Sequence, residues 1–161
     1  MELSDILLLG DPRLYQTCTA VAQNEVDRLR PVIDNMADLV LQFRQKHGAG
    51  RAIAAPQIGV MKRLIVLNIA EPIAIINPTL SNLSEEMMEL WDDCMSFPNL
   101  LVRLKRHRRC TLTFRNINWE EETWSLEGDL SELLQHEYDH LDGILAISRA
   151  LDQQSFRWRV P

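Results

Sequence analysis

The chain has 161 residues, 46% of them hydrophobic and 25% charged, enough for one ordinary folded domain and short for two. A net charge of −6 speaks against a general nucleic-acid binder. No apolar run approaches the roughly 20 residues of a membrane span, and the start MELSDILLLGDP has neither the basic flank of a signal peptide nor the arginines of a transit peptide, so a cytoplasmic protein is expected.

Asn24 to His47 carries Val26, Leu29, Ile33, Met36, Val40 and Phe43 at alternating spacings of three and four, the pattern of an amphipathic helix. Pro31 belongs near a first turn, so the regular part is expected to begin late, and Gly48 supplies a stop. The small residues of GAGRAIAAPQIG imply close backbone packing, and Leu64–Ala70 and Ile73–Pro78 read as buried strands. Asn82 to Met88 is a polar excursion. Leu100 to Ile117 is strand-like, NINWEEE turns, and TWSLEG returns as a hairpin. Within this stretch Arg103, Lys105, Arg106, His107, Arg108 and Arg109 form a basic run. It could face a ribosome or nucleic acid, but the solvated face of an edge strand is the favoured reading. His47 and His107 read as surface residues.

The segment GDLSELLQHEYDHLDG reads as a second helix, with Leu130, Leu133, Leu134 and Leu141 on one stripe. Asp129 is its expected N-cap, Glu132 lies three residues on, and Gly143 closes it. No repeat or low-complexity linker divides the chain, so residues 1–161 are read as a single domain. Strands and helices are segregated rather than alternating, which points to an α+β fold.

That helix contains His136-Glu137-Tyr138-Asp139-His140. Histidines four residues apart stand on one helical face, where both imidazoles can reach one metal ion and the glutamate can hold a water. Histidines on such a stripe are often plain core residues. Here the helical pattern and the core-facing stripe both meet what the motif requires, and the metal reading is preferred. A catalytic site of this kind usually has a third protein ligand. After His140 the chain has no glutamate and no histidine; only Asp142 and Asp152 could serve downstream. The third ligand is therefore an aspartate or lies upstream, where Cys94 is attractive because thiolates bind such ions tightly. The three cysteines, Cys18, Cys94 and Cys110, form no C-x-x-C pair, and Cys18 and Cys110 read as buried small hydrophobes.

These residues resemble a known family. QHEYDHLDG (Gln135–Gly143) is similar to the third motif of peptide deformylases, Q-H-E-x-D-H-L-x-G. DDCMS (Asp92–Ser96) resembles the second, E-G-C-L-S, and GRAIAAPQ (Gly50–Gln57) the first, G-x-G-x-A-A-P-Q. The resemblance runs from about Ile6 to Leu151 in matching order. It implies antiparallel or mixed strands around a central HExxH helix, plus an N-terminal helix. It also implies hydrolysis of the N-formyl group from formyl-methionine of new polypeptides, with release of formate. Cys94, His136 and His140 would hold one divalent ion, commonly Fe(II), with zinc or nickel as substitutes. Glu137 would be the base to a metal-activated water, and the oxyanion would be met by Gln57 and the Met95 backbone N–H. Gln135 and Asp139 would orient the histidines, and Arg106 would pair with Asp92.

Gly50, Arg51, Ala52 and Asp93 would face substrate. Three of these positions or their neighbours depart from the family pattern: Ala52 stands for the second glycine of the first motif, Arg51 for an apolar residue, and Asp92-Asp93 for Glu-Gly. A positive φ at Asp93 would cost roughly 1 kcal/mol, and Asp93 could pair with Arg51. The substrate is therefore a formylated peptide or a small formylated molecule, met transiently at the ribosome in the first case, with no membrane and no specific nucleic acid. The alternatives are a deformylase-like amidase for another N-formyl or N-acyl substrate, and a catalytically idle metal-binding module.

Overall fold

The computed structural model describes residues 1–160. Two helices, α1 (Val26–His47) and α2 (Asp129–Leu141), pack against eight strands. These are β1 (Ala52–Ala54), β2 (Leu64–Asn68), β3 (Pro72–Ser81), β4 (Met87–Asp92), β5 (Leu100–His107), β6 (Arg109–Arg115), β7 (Glu121–Glu127) and β8 (Phe156–Trp158). They form one sheet ordered β1-β2-β3-β6-β7 and another ordered β4-β5-β8. Every strand pair within the two sheets is antiparallel.

The alternation of β2 explains how one sheet separates two cores. Successive strand side chains point to opposite faces. Leu64 and Val66 therefore join Met36, Val40 and Phe43 of α1, with Ile53 and Ile76. Ile65 and Leu67 turn the other way, to Leu133, Leu134 and Leu141 of α2, with Ile75, Leu112 and Phe114. Both faces of β2 are covered, which is why LIVLN reads as a continuous apolar run. In the smaller sheet Val102 and Leu104 pack with Cys94, Phe97 and Ala146.

Several boundaries differ from the expectations. Helix α1 begins at Val26, so Pro31 lies inside it at the sixth position, just past the turn whose N–H groups lack partners in any case. Gly48 ends it in the left-handed conformation, φ 68°, its N–H donating to Arg44 O. The polar excursion is shorter than expected, because Met87 and Met88 already belong to β4. The run Leu100–Ile117 is two strands in different sheets, broken at Arg108. The cap of α2 is Gly128, with Asp129 in its first turn. Gly143 follows the helix at φ 72°, and a Cβ there would stand 2.5 Å from Tyr15 O, so only glycine fits.

The basic run also divides. Lys105 and Arg109 are exposed, but Arg106 is buried, and His107 is half-buried with its Nδ1 2.7 Å from Ser84 O. His47 is likewise half-buried, stacked on Phe43. Neither histidine is the surface residue expected.

Candidate metal centre

Helix α2 lies between the two sheets, so its buried face carries His136, Glu137 and His140 inward. The strand β4 ends at Asp92, and a tight turn closed by Phe97 N–H donating to Cys94 O presents Cys94 toward the helix. Cys94, His136 and His140 are all buried, and their ligating atoms lie within 4.8 Å of one another. His140 Nε2 stands 3.3 Å from Cys94 Sγ and 3.2 Å from His136 Nε2. Tetrahedral coordination, at about 2.0–2.1 Å to nitrogen and about 2.3 Å to sulfur, spaces neighbouring donors by roughly 3.3–3.6 Å. One sulfur and two imidazole nitrogens at this spacing suit a single divalent ion.

The surrounding electrostatics agree with that fit. His136 Nδ1–H donates to Asp92 Oδ2 at 2.8 Å, which turns Nε2 toward the other two donors. Burial opposes a charge on His136, but Asp92 and Cys94 outweigh it and hold its pKa well above the usual value. The field that favours positive charge on His136 also favours a cation held beside it. Burial and the neighbouring His136 push His140 well below its usual value, into the neutral form that ligates metals. Burial costs the Asp92 carboxylate too, yet His136 and Arg106 more than compensate and hold its pKa at about 2. His140 Nδ1 is buried without a partner.

Glu137 is buried beside these donors, and its Oε2 has no hydrogen-bond partner. Burial pushes its pKa up to about 7, near the value suited to moving a proton at neutral pH. A cleft of about 370 Å³ opens over the cluster and is lined by Gly50, Arg51, Ala52, Asp93, Cys94, Met95, His136 and Glu137. Eight of the ten site residues expected from sequence therefore line the cleft, and the other two, His140 and Gln57, reach Cys94 Sγ at 3.3 and 3.5 Å. Gln57 and His140 sit behind its wall. Gln57 Oε1 accepts from Ala54 N–H at 2.9 Å, which turns Nε2 to Ser96 Oγ at 3.1 Å and Cys94 Sγ at 3.5 Å. The hydrogen bonds of the Cys94 turn run from Ser96 N–H and Phe97 N–H, leaving the Met95 N–H out of them.

Other roles differ from the expectation. Gln135 does not touch the histidines; its amide accepts from His107 N–H and donates to His107 O, docking α2 on the end of β5. Asp139 does not touch them either. It is shared by Arg106 and Arg149, each 2.6 Å away. The group that orients His136 is Asp92, which also accepts from Arg106 at 3.2 Å. Arg51 pairs with Glu132 at 2.7 Å rather than with Asp93, which pairs with Arg159. Asp93 is absent from the positive-φ residues, so replacing glycine there carries no backbone cost. Phe43 and Leu133 also line the cleft. Their apolar helical spacing marks them as core, and nothing in the sequence separates them from the rest of the stripe.

The comparisons with known proteins follow the same lines. The model of the polypeptide deformylase family matches residues 3–156. A peptide deformylase of Parafrankia sp. is 39% identical over 98% of this chain and 83% of its own. The crystal structure of a peptide deformylase from Thermotoga maritima has a TM-score of 0.81 and 31% identity, over 91% of this chain and 97% of that one. A Synechococcus elongatus peptide deformylase in complex with actinonin gives 0.82 and 28%, over 93% and 80%. A sulfur and two histidine nitrogens gathered by an HExxH helix, in a chain this similar throughout, mark an enzyme family with a divalent metal: the chain belongs to the polypeptide deformylase family.

Proposed function

We propose that this chain removes the N-formyl group from formyl-methionyl peptides, releasing formate, in the cleft above Cys94, His136 and His140. The observation that carries this reading is the placement of buried Glu137, with Oε2 unpaired, beside three donors at metal-binding spacing. Cys94, His136 and His140 would hold a divalent ion, which when bound would supply Lewis acidity and lower the pKa of a water.

The chain's own residues do the rest. Glu137 takes a proton from the attacking water and returns it to the nitrogen as the C–N bond breaks. The Met95 N–H and Gln57 Nε2 are the donors assigned in this reading to the oxyanion that develops on the formyl oxygen. For Gln57, the long 3.5 Å contact to Cys94 Sγ is the bond the substrate oxygen replaces. Donors of this kind are typically worth about 2.7–4 kcal/mol each. Arg44 Nε donates to Gly50 O at 3.0 Å, and in this reading the Gly50–Ala52 side of the cleft is the edge along which the peptide backbone lies.

In this reading residues 1–161 act as one domain, and Fe(II) is the native ion, with zinc and nickel able to substitute. Among the described residues no helix is long and apolar enough to cross a membrane. The substrate is a nascent chain, so the protein meets it transiently at the ribosome in the cytoplasm. A formate-release assay on formyl-Met-Ala-Ser, with the anaerobically metal-loaded protein and with the chelated protein, tests the reading. Release that depends on metal supports it; no release from the loaded protein contradicts it.

A further inference from the structure

Arg51 lines one side of the cleft and forms an ion pair with Glu132, and the proton transfer above uses neither side chain. Arg51 enters from the residue before β1, and Glu132 stands in the first turn of α2, one helical turn before His136. Arg51 Nη2–H donates to Glu132 Oε1 at 2.7 Å. Among the described residues this is the only hydrogen bond of either side chain, so Arg51 Nε and Nη1 and Glu132 Oε2 are left over. None of those atoms is sealed from solvent without a partner. The Arg51 side chain is 37% exposed, and Glu132 11%. Leu133 and Phe43 supply the apolar part of the same cleft.

The position of this pair decides what it reads. A substrate whose scissile amide lies over His136 and Glu137 carries its first side chain within about one helical turn of them. A side chain running toward the start of α2 passes Leu133 and ends against Arg51, which Glu132 holds. A purely apolar end would strip water from the spare N–H groups of Arg51 without replacing those bonds. A carboxylate would meet Asp93 and compete with Glu132 for Arg51, and an ammonium would meet Arg51. A neutral side chain ending in an acceptor oxygen fits all three constraints: its apolar stem lies on Leu133 and its oxygen takes an N–H from Arg51.

We propose that the Arg51–Glu132 pair selects N-formyl peptides whose first side chain is neutral and ends in a hydrogen-bond acceptor, such as a methionine sulfoxide or a carboxamide. This rests on the deformylase reading of the site and refines its substrate class. Methionine sulfoxide is the sharpest probe, since it differs from methionine by one oxygen.

The test compares kcat/KM for formyl-Met-Ala, formyl-Met-sulfoxide-Ala and formyl-Gln-Ala in wild type, Arg51→Lys and the double variant Arg51→Leu/Glu132→Leu. In wild type the sulfoxide is expected to be processed at least as well as the thioether. The double variant is expected to lower the sulfoxide-to-thioether ratio at least tenfold. Wild-type preference for the thioether, or a ratio unchanged in the double variant, would overturn the proposal. Should the double variant fail to fold, Arg51→Lys carries the comparison, and an unchanged ratio there counts against it equally. Failure of every peptide to release formate would contradict the deformylase reading instead. The same ratios are then taken from dissociation constants of the uncleaved peptides by calorimetry, where tighter binding of the thioether overturns the selectivity.

Discussion

His136 donates its Nδ1 proton to Asp92 Oδ2 at 2.8 Å, and this bond turns Nε2 toward Cys94 and His140. Asp92 is buried and also accepts from Arg106. Partners of this kind, which hold a ligand imidazole by its other nitrogen, are typically worth about 10–100-fold in metal affinity. Asp92→Asn is therefore expected to weaken metal binding by about that range, measured by competition with a chromogenic chelator. Asp92→Ala should be at least as weak. Unchanged affinity in both would remove Asp92 from the account.

The same residue sets an acid limit on stability. Its folded pKa of about 2 lies below the ordinary carboxylate value, so the ionised form favours the folded state. That contribution is fully present above pH about 4 and is lost as pH falls through about 2. In metal-free protein, denaturant midpoints of wild type are expected to drop over this window. The Asp92→Asn variant should show a flatter acid limb. Parallel curves for the two proteins would contradict the assignment.

Arg106 stands between two carboxylates, 3.2 Å from Asp92 and 2.6 Å from Asp139, and its side chain is 3% exposed. Removing one partner from a buried charge network typically costs about 3–5 kcal/mol, because the remaining charges stay buried. Arg106→Met should lose stability in that range by urea unfolding. Arg108→Met, at a side chain 40% exposed and paired only with Glu86, should lose less than about 1 kcal/mol. Equal effects would show that the buried network contributes nothing beyond surface pairing.

Gly143 holds φ 72° with Tyr15 O 2.5 Å from where a Cβ would sit. The left-handed conformation alone costs roughly 1–2 kcal/mol for a residue with a side chain, and the backbone clash adds to it. Gly143→Ala is expected to lower Tm by several degrees. Gly10→Ala, at φ 103° with open space around it, carries only the conformational part. A Gly143→Ala protein as stable as wild type would mean that the turn after α2 yields freely.

How much of this was legible in sequence depends on the range of each interaction. The two helices and most strands follow from local periodicity, and the HExxH spacing places both histidines on one face without any tertiary information. Cys94 lies 42 residues before His136, so only the lack of a downstream glutamate or histidine, and then the family resemblance, pointed to it. The pairing choices were less accessible. Sequence offered only Asp93 as a partner for Arg51, and the fold decides instead that Glu132 faces it while Arg159 takes Asp93. The basic run read as one solvated face because its residues are consecutive. Strand alternation instead turns Arg106 inward to Asp139 and leaves Lys105 outside. Asp139 and Gln135 belong to the motif, yet their partners come from β5 and the segment after α2, which no local pattern specifies.

The central claim is that Cys94, His136 and His140 bind the ion while Glu137 moves the proton. Metal content and formate release measured together on anaerobically prepared Cys94→Ala and Glu137→Ala test it most directly. Cys94→Ala should lose most of its metal and its activity with it. Glu137→Ala should retain wild-type metal content and lose nearly all formate release. A Cys94→Ala protein that binds metal normally, or a Glu137→Ala protein that still deformylates, would contradict the account.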